Sequence, residues 1–242
     1  MALYAEQEGN LAQAAQYLRE TADYQTSASR QLQVSFYEQQ SGDSKAALHT
    51  LQEAYKRFAG NVEIGYFYGL LLHDEKQYRS AAKVLKGVLE TNPDYENARM
   101  AYAFCLEELG RYKEMEKQVR LILSKNPNHA AACNLLGFSL ANRNIRLEEA
   151  QELVTKAVAM APKDRAYIDS LAWVYYQQGK YSQALELLQS IDANFIAEND
   201  DVAYHIGAVY MKLGETEKAL PYLQQAARSD KQAAKLLKKI AK

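Results

Sequence analysis

The sequence contains few of the residues that crosslink a fold or interrupt its helices. Its 242 residues include two cysteines, four prolines and one tryptophan, so a disulfide framework is excluded. No apolar run reaches the roughly 18 residues that a membrane-spanning helix needs, and no stretch alternates like a half-buried strand. The net charge of -1 removes the usual electrostatic argument for nucleic acid as a partner.

Residue patterns that carry chemistry are also missing. The sequence has no His-x3-His or Cys-x2-Cys spacing and no glycine-rich phosphate loop, so it gives no support for a metal or cofactor. Ser170 follows Asp169 inside a predicted helix, without the sharp glycine-flanked turn that a nucleophile needs. We therefore predict no catalytic residue, no metal site and no cofactor, and a protein that is not an enzyme.

What the sequence does contain is a helical hairpin, best seen in residues 167–191. Ile168, Leu171 and Tyr175 recur at helical spacing, Gly179 interrupts the run, and a second apolar stripe follows it. A glycine just past the last periodic residue is a helix stop signal. Each stripe is too narrow to form a core alone, so the hairpin needs a neighbour of the same kind.

The hairpin recurs with a period of 34 or 35 residues. Small residues mark the middle of each first helix at Ser35, Gly69, Ala103, Gly137, Ala172 and Gly207. A second series marks the second helices at Ala14, Ala47, Ala81, Met115, Ala150, Ala184 and Ala219. Pro93, Pro127 and Pro162 mark the exits. These residues resemble the tetratricopeptide-repeat family, with Leu171-Ala172-x2-Tyr175 followed by Ala184-x3-Leu188 as the best-matched unit.

The resemblance implies an all-α fold: a right-handed α-solenoid of helix-turn-helix repeats over residues 1–242. We predict a partial repeat at 1–27, full repeats at 28–61, 62–95, 96–129, 130–164, 165–199 and 200–233, and a capping helix at about 231–242. An extra residue in the fourth full repeat is expected in the turn near Asn144. Cys105 and Cys133 are expected as small buried residues, with a disulfide open only if the Cα atoms come close.

The two ends carry their own expectations. The chain looks cut from a longer array, and Leu3, Leu11, Tyr17 and Leu18 would then lack part of their cover and promote homodimerisation. The lysine-rich C-terminal helix is read as a polar-backed cap, with a basic amphipathic helix on a membrane surface as the alternative.

The resemblance also implies a binding surface, because the first helices of such repeats line the concave side of the array. We predict that a protein or peptide partner binds there, on Phe36, Tyr66, Phe104, Phe138, Trp173, Tyr176, Tyr204 and Asn134, with Gln39 and Gln177 beside them. Aromatic side chains are frequent binding hot spots. The alternative is that these aromatics pack on each other and only stabilise the array. The lysine and asparagine of the family's carboxylate clamp are absent, which argues against chaperone C-termini as ligands.

Three functional classes stay open. The first is a non-catalytic interaction scaffold, and the second is the repeat arm of a larger enzyme or complex whose active part lies N-terminal to this sequence. The third is a self-associating structural array. The segment from Asp169 to Tyr176 resembles those of bacterial arrays, and many bacterial proteins of this kind work in envelope assembly. By that analogy we expect a periplasmic or outer-membrane-associated location, otherwise a cytoplasmic one.

Overall fold

The computed structural model describes residues 1–240, and every regular element in that range is an α-helix. The helices are α1 (Ala2–Gln7), α2 (Leu11–Arg19), α3 (Ala28–Gln40), α4 (Ser44–Arg57), α5 (Val62–Asp74), α6 (Tyr78–Thr91), α7 (Glu96–Glu108), α8 (Tyr112–Lys125), α9 (Ala130–Asn142), α10 (Leu147–Met160), α11 (Arg165–Gln177), α12 (Tyr181–Gln189), α13 (Ala193–Glu198), α14 (Asp200–Leu213), α15 (Thr216–Ala226) and α16 (Lys231–Ile240). Each predicted full repeat begins with one consecutive pair of these helices, and the repeat at 165–199 also contains α13. We call the first of each pair the A helix and the second the B helix.

Short polar side chains set where many of these helices begin. Asn10, Asp43 and Asn61 each accept a hydrogen bond from the backbone N–H three residues later. Such N-caps satisfy donors that the first helical turn leaves unpaired. Asp192 does the same for Phe195 and thereby starts α13, a short helix that the sequence analysis did not predict.

The turns between A and B helices need a residue with positive φ. Glycine fills that place in most turns, for example Gly179 with φ 76°, because it adopts the left-handed conformation without steric cost. Lys76 (φ 58°) and Asn144 (φ 53°) occupy the equivalent place in two other turns. The loop at 143–146 also contains Arg146 with φ 48°, so this loop takes up the extra residue of its repeat.

The small-residue series marks the closest approach of A and B helices. A Cβ atom on Gly69 would lie 2.6 Å from Leu85 Cγ, and one on Gly207 would lie 2.7 Å from Leu223 Cδ2. Ala103 and Ala172 are fully buried. Each A helix therefore packs its small residue directly against side chains of the B helix that follows, as the repeat pattern predicts.

The chain divides into two compact units, residues 1–118 and 119–242, with the boundary inside α8. In the first unit, consecutive helices from α1 to α7 pack side by side, and the A helices α3 and α5 also touch. Ala5 and Leu18 are buried where α1, α2 and α3 meet, whereas Leu3 is 72% exposed. Of the four side chains predicted to lack cover, Leu18 is buried, Leu11 and Tyr17 are partly buried against the same cluster, and Leu3 is exposed. Arg19 pairs with the buried Glu38, which also accepts a hydrogen bond from Thr50 at 2.8 Å.

The second unit contains α9 to α16 and has its own core. The A helix α11 contacts both α9 and α14, and α13 packs against α14. Helix α16 lies on α14 and α15 with Ala233 fully buried and Leu236, Leu237 and Ile240 packed against the core. Its lysines point away from that core, which confirms a capping helix; Lys242 lies outside the described residues. Within residues 1–240, no helix is both long and apolar enough to cross a bilayer.

Candidate functional site

In the first unit, the A-helix surface forms an open apolar groove between α3 and α5. Its volume is about 450 Å³, within the range of small ligand pockets. The lining residues are Leu32, Gln33, Ser35, Phe36, Gln39, Phe67, Leu70, Leu71 and Asp74. We call this surface the phenylalanine groove.

Two phenylalanines dominate the groove and remain open to solvent. Phe36 is 54% exposed and Phe67 is 47% exposed. Phe36 was predicted as a site residue, whereas Phe67 was missed. Phe67 lies three residues before Leu70, which holds the repeat position of Phe36, and residues three apart on a helix share a face. The helical period could thus have found Phe67.

The other predicted residues of the first unit differ in exposure. Phe104, on α7, is 40% exposed. Tyr66 is half-buried, with its ring 5.1 Å from that of Tyr95, and burial raises the pKa of its hydroxyl. Gln39 is exposed at the groove edge, where its amide can both donate and accept hydrogen bonds.

In the second unit, the predicted aromatics form a packed stack. Trp173 is only 4% exposed. Its ring lies parallel to that of Tyr176 at 4.6 Å and stacks on the imidazole of His205 at 4.0 Å. Tyr204 lies 5.7 Å from the same indole. The indole Nε1 of Trp173 has no hydrogen-bond partner among residues 1–240.

His205, a member of this stack, also belongs to a buried polar pair that sequence analysis did not single out. His205 Nδ1 lies 2.9 and 3.0 Å from the two carboxylate oxygens of Asp169, and both residues are buried. The pair joins α14 to α11. No sequence signal reveals it, because the two residues are 36 positions apart and hold different positions in their repeats.

The remaining predicted residues surround the stack. Phe138 is half-buried on α9, with its ring 6.1 Å from His205. Asn134 is half-buried, and its amide Oδ1 is buried without a hydrogen-bond partner in the described part of the chain. Burial raises the pKa of the Tyr176 hydroxyl. The pKa of the Tyr204 hydroxyl is raised to about 12, mainly by burial and to a smaller extent by the nearby Tyr176 and Asp230. Both phenols stay neutral at physiological pH and serve as apolar surface with a polar tip.

Side chains that could together hold a metal ion are not assembled in the described residues. Between residues 1 and 240, no cluster of three or more His, Cys, Asp or Glu side chains is placed to hold a metal ion. Cys105 and Cys133 are buried free thiols, and burial raises the pKa of Cys105 to about 12. What the A-helix surface offers is apolar area with a few amides beside it.

Comparison with known proteins agrees with the geometry. Two family models described as tetratricopeptide repeat match residues 72–137 and 135–241. The chain belongs to the tetratricopeptide-repeat family. The TPR repeat-containing protein PA4667 of Pseudomonas aeruginosa is 32% identical over 136 residues, which is 56% of this chain and 23% of that protein.

Solved structures share the fold of this tetratricopeptide-repeat chain at low identity. A tetratricopeptide repeat protein from Parabacteroides merdae has a TM-score of 0.78 at 17% identity, covering 100% of this chain and 96% of its own. PilW, a type IV pilus biogenesis factor, has a TM-score of 0.70 at 16% identity, covering 87% of this chain and 98% of its own. The fold class is therefore the all-α tetratricopeptide solenoid, as predicted. The fold is that of a protein–protein interaction scaffold.

Proposed function

We propose that this chain is a non-catalytic scaffold that binds an apolar segment of a partner protein on its A helices. The observation that supports this most is the phenylalanine groove, where Phe36 and Phe67 expose about half of their surface on neighbouring helices. Large aromatic surfaces left open in a groove gain free energy when a partner covers them. Folding alone gives no reason to leave both rings in water.

Each unit has its own proposed binding surface on its A helices. In the first unit it includes Tyr66 and Phe104; in the second it includes Asn134, Phe138, Trp173, Tyr176 and Tyr204. Trp173 is buried and stacked, so we assign it to the floor of the surface. The half-buried Tyr176 and Tyr204 then supply the accessible area, and Asn134 and the exposed Gln39 supply amides for a peptide backbone.

The occupant of the phenylalanine groove is an apolar segment with a basic flank. Asp74 lines one edge of the groove and Glu75 follows it, and both are exposed. Asp74 is paired only loosely with His73, at 3.6 Å, and its side chain is 61% exposed. A lysine or arginine beside the apolar segment would complement this rim.

A peptide-display experiment tests the proposal. Peptides selected on the protein should be apolar with a flanking basic residue, and Phe36→Ala with Phe67→Ala should abolish their binding. Ile145→Ala is the matched control, because Ile145 is 40% exposed in a loop of the second unit. Selected peptides that bind the double variant and the control equally well would overturn the proposal.

The alternative of a repeat arm within a larger protein has one supporting fact. The chain spans between about a quarter and a half of the length of three curated relatives that it matches. The scaffold would then position a partner for an activity located elsewhere in the longer protein. The resemblance to bacterial arrays suggests envelope assembly as the process. To test this, a photocrosslinking amino acid replaces Phe36 in the native host, and the proteins that become crosslinked to it are identified.

A further inference from the structure

A second groove lies on the B helices of the first unit, between α4 and α6, where no function has been assigned. Its volume is about 570 Å³, larger than that of the phenylalanine groove. It is lined by Gln52, Tyr55, Lys56, Tyr68, Leu72, Ser80, Lys83, Val84, Lys86, Gly87 and Glu90. We call it the lysine–tyrosine groove.

Gly87 is the unusual residue of this groove. Among the helical glycines, Gly65, Gly69, Gly137 and Gly207 leave no room for a Cβ atom, which would lie within 2.5 to 2.7 Å of a neighbouring side chain. A Cβ atom on Gly87 would meet only the Tyr55 hydroxyl, at 3.4 Å. Its φ is not positive, so no turn requires it.

Neither packing nor backbone conformation therefore accounts for Gly87. A glycine in a helix interior costs about 1 kcal/mol relative to alanine. Because Gly87 has no side chain, the helix backbone is open to the groove at this position. A glycine inside an element is often found where a ligand approaches the backbone closely, and this site has the shape for that.

The walls supply both an apolar contact and positive charge. Tyr55 and Tyr68 lie with their rings 5.5 Å apart, and Tyr68 is nearly buried. Three lysines line the groove against one glutamate, although the whole chain has a net charge of -1. Glu53 also pairs with Lys56 beside the groove, so three lysines face two glutamates and Lys83 supplies the excess positive charge.

The lysines are available to a partner. Lys56 pairs with Glu53 at 2.8 Å and Lys86 with Glu90 at 3.6 Å, but all four side chains are 45% to 67% exposed. Exposed ion pairs of this kind contribute little free energy and exchange readily. A carboxylate brought in beside an apolar anchor can replace them.

We infer that the lysine–tyrosine groove binds an acidic segment of a partner protein, with an apolar side chain over Gly87 and carboxylates on Lys83 and Lys86. Three lysines suit a short acidic peptide, whereas nucleic acid requires a longer basic stripe. The site is independent of the phenylalanine groove, since α4 and α6 supply most of its lining. Occupation of one groove does not require the other.

Binding of defined probes to the intact protein tests this inference. The first probe is a labelled peptide of alternating glutamate and leucine, the second is the same peptide with glutamine for glutamate, and the third is single-stranded DNA. We expect the acidic peptide to bind at least about tenfold more tightly than the glutamine peptide, and more weakly as salt is added. Equal binding of both peptides, or preference for DNA, would overturn it.

Variants then locate the site. Lys83→Glu with Lys86→Glu should weaken acidic-peptide binding by about tenfold or more, whereas Lys235→Glu with Lys238→Glu on α16 is the charge-matched control and should not. Gly87→Leu should block the groove, and Gly87→Ala, which adds only a methyl group to the floor, should weaken acidic-peptide binding less than Gly87→Leu does. If Gly87→Leu fails to fold, the variant Lys83→Glu with Lys86→Glu still tests where the peptide binds. Unchanged binding in Lys83→Glu with Lys86→Glu would refute the assignment, while Phe36→Ala should leave this binding intact.

Discussion

At the scale of single residues, Lys76 holds a left-handed backbone conformation that glycine adopts in most of the other turns between A and B helices. Lys76 has φ 58°, where the corresponding turn residue Gly179 has φ 76°. A side chain in this left-handed region costs about 1 kcal/mol. We therefore expect Lys76→Gly to raise the free energy of unfolding by up to about 1 kcal/mol, and Gly179→Ala to lower it by a similar amount. Urea denaturation measures both; a destabilised Lys76→Gly would contradict this account.

Trp173 and Phe36 hold the same repeat position but should respond differently to truncation. Trp173 is 4% exposed and stacked on two rings, whereas Phe36 is 54% exposed. Removing a buried aromatic costs about 3–5 kcal/mol because a cavity remains. We expect that loss for Trp173→Ala, and about 1 kcal/mol or less for Phe36→Ala because its ring is half in water.

Thermal or urea unfolding of the two variants checks this difference. Trp173 is the single tryptophan, so its fluorescence reports on the stack directly, and we expect the emission of a buried indole. Equal losses of stability in Trp173→Ala and Phe36→Ala would show that the tryptophan is not part of the framework.

At the scale of helix pairs, the sign of a glycine substitution depends on what faces it. A Cβ atom on Gly137 would lie 2.5 Å from Val154 Cγ2 and 2.9 Å from the Ala150 carbonyl oxygen. Alanine favours a helix by about 1 kcal/mol over glycine, but overpacking costs about 1–3 kcal/mol. Because one contact is with backbone that cannot move aside, we expect Gly137→Ala to be destabilising.

Gly87→Ala is the matched control for this prediction. Its Cβ atom meets only the Tyr55 hydroxyl, so the helix preference of alanine should dominate and the melting temperature should stay the same or rise. If Gly137→Ala were as well tolerated as Gly87→Ala, α9 and α10 would not pack as closely as the structure shows.

The helix pairs also explain what could be predicted from sequence. The period of 34 or 35 residues fixes the A and B helices and their small contact residues, because packing each hairpin on the next repeats the same local constraint. Helix α13 escaped prediction because it follows a shortened α12 within one repeat and leaves the 35-residue step from Ala172 to Gly207 unchanged, although the Asp192 cap was visible. The sequence could not predict that Phe36 is exposed and Trp173 is buried, because the two residues hold the same repeat position and differ only in the neighbours that cover them.

At the scale of the whole molecule, the remaining exposed apolar surface bears on self-association. Met1 is 81% exposed, Leu3 72% and Tyr4 65%, all on or beside α1. In the second unit, α16 packs on α14 and α15 and its lysines are exposed. Contiguous exposed apolar side chains promote association, so we propose that homodimers form through α1.

Sedimentation equilibrium over a range of protein concentrations tests this proposal. We expect concentration-dependent dimers, and we expect Leu3→Glu with Tyr4→Gln to make the protein monomeric because the patch loses its apolar character. Ile145→Glu is the control, since Ile145 is exposed but lies far along the chain in a loop. If Leu3→Glu with Tyr4→Gln dimerises like the unmodified protein, α1 is not the interface. If Ile145→Glu also abolishes the dimer, added charge rather than the α1 surface is responsible.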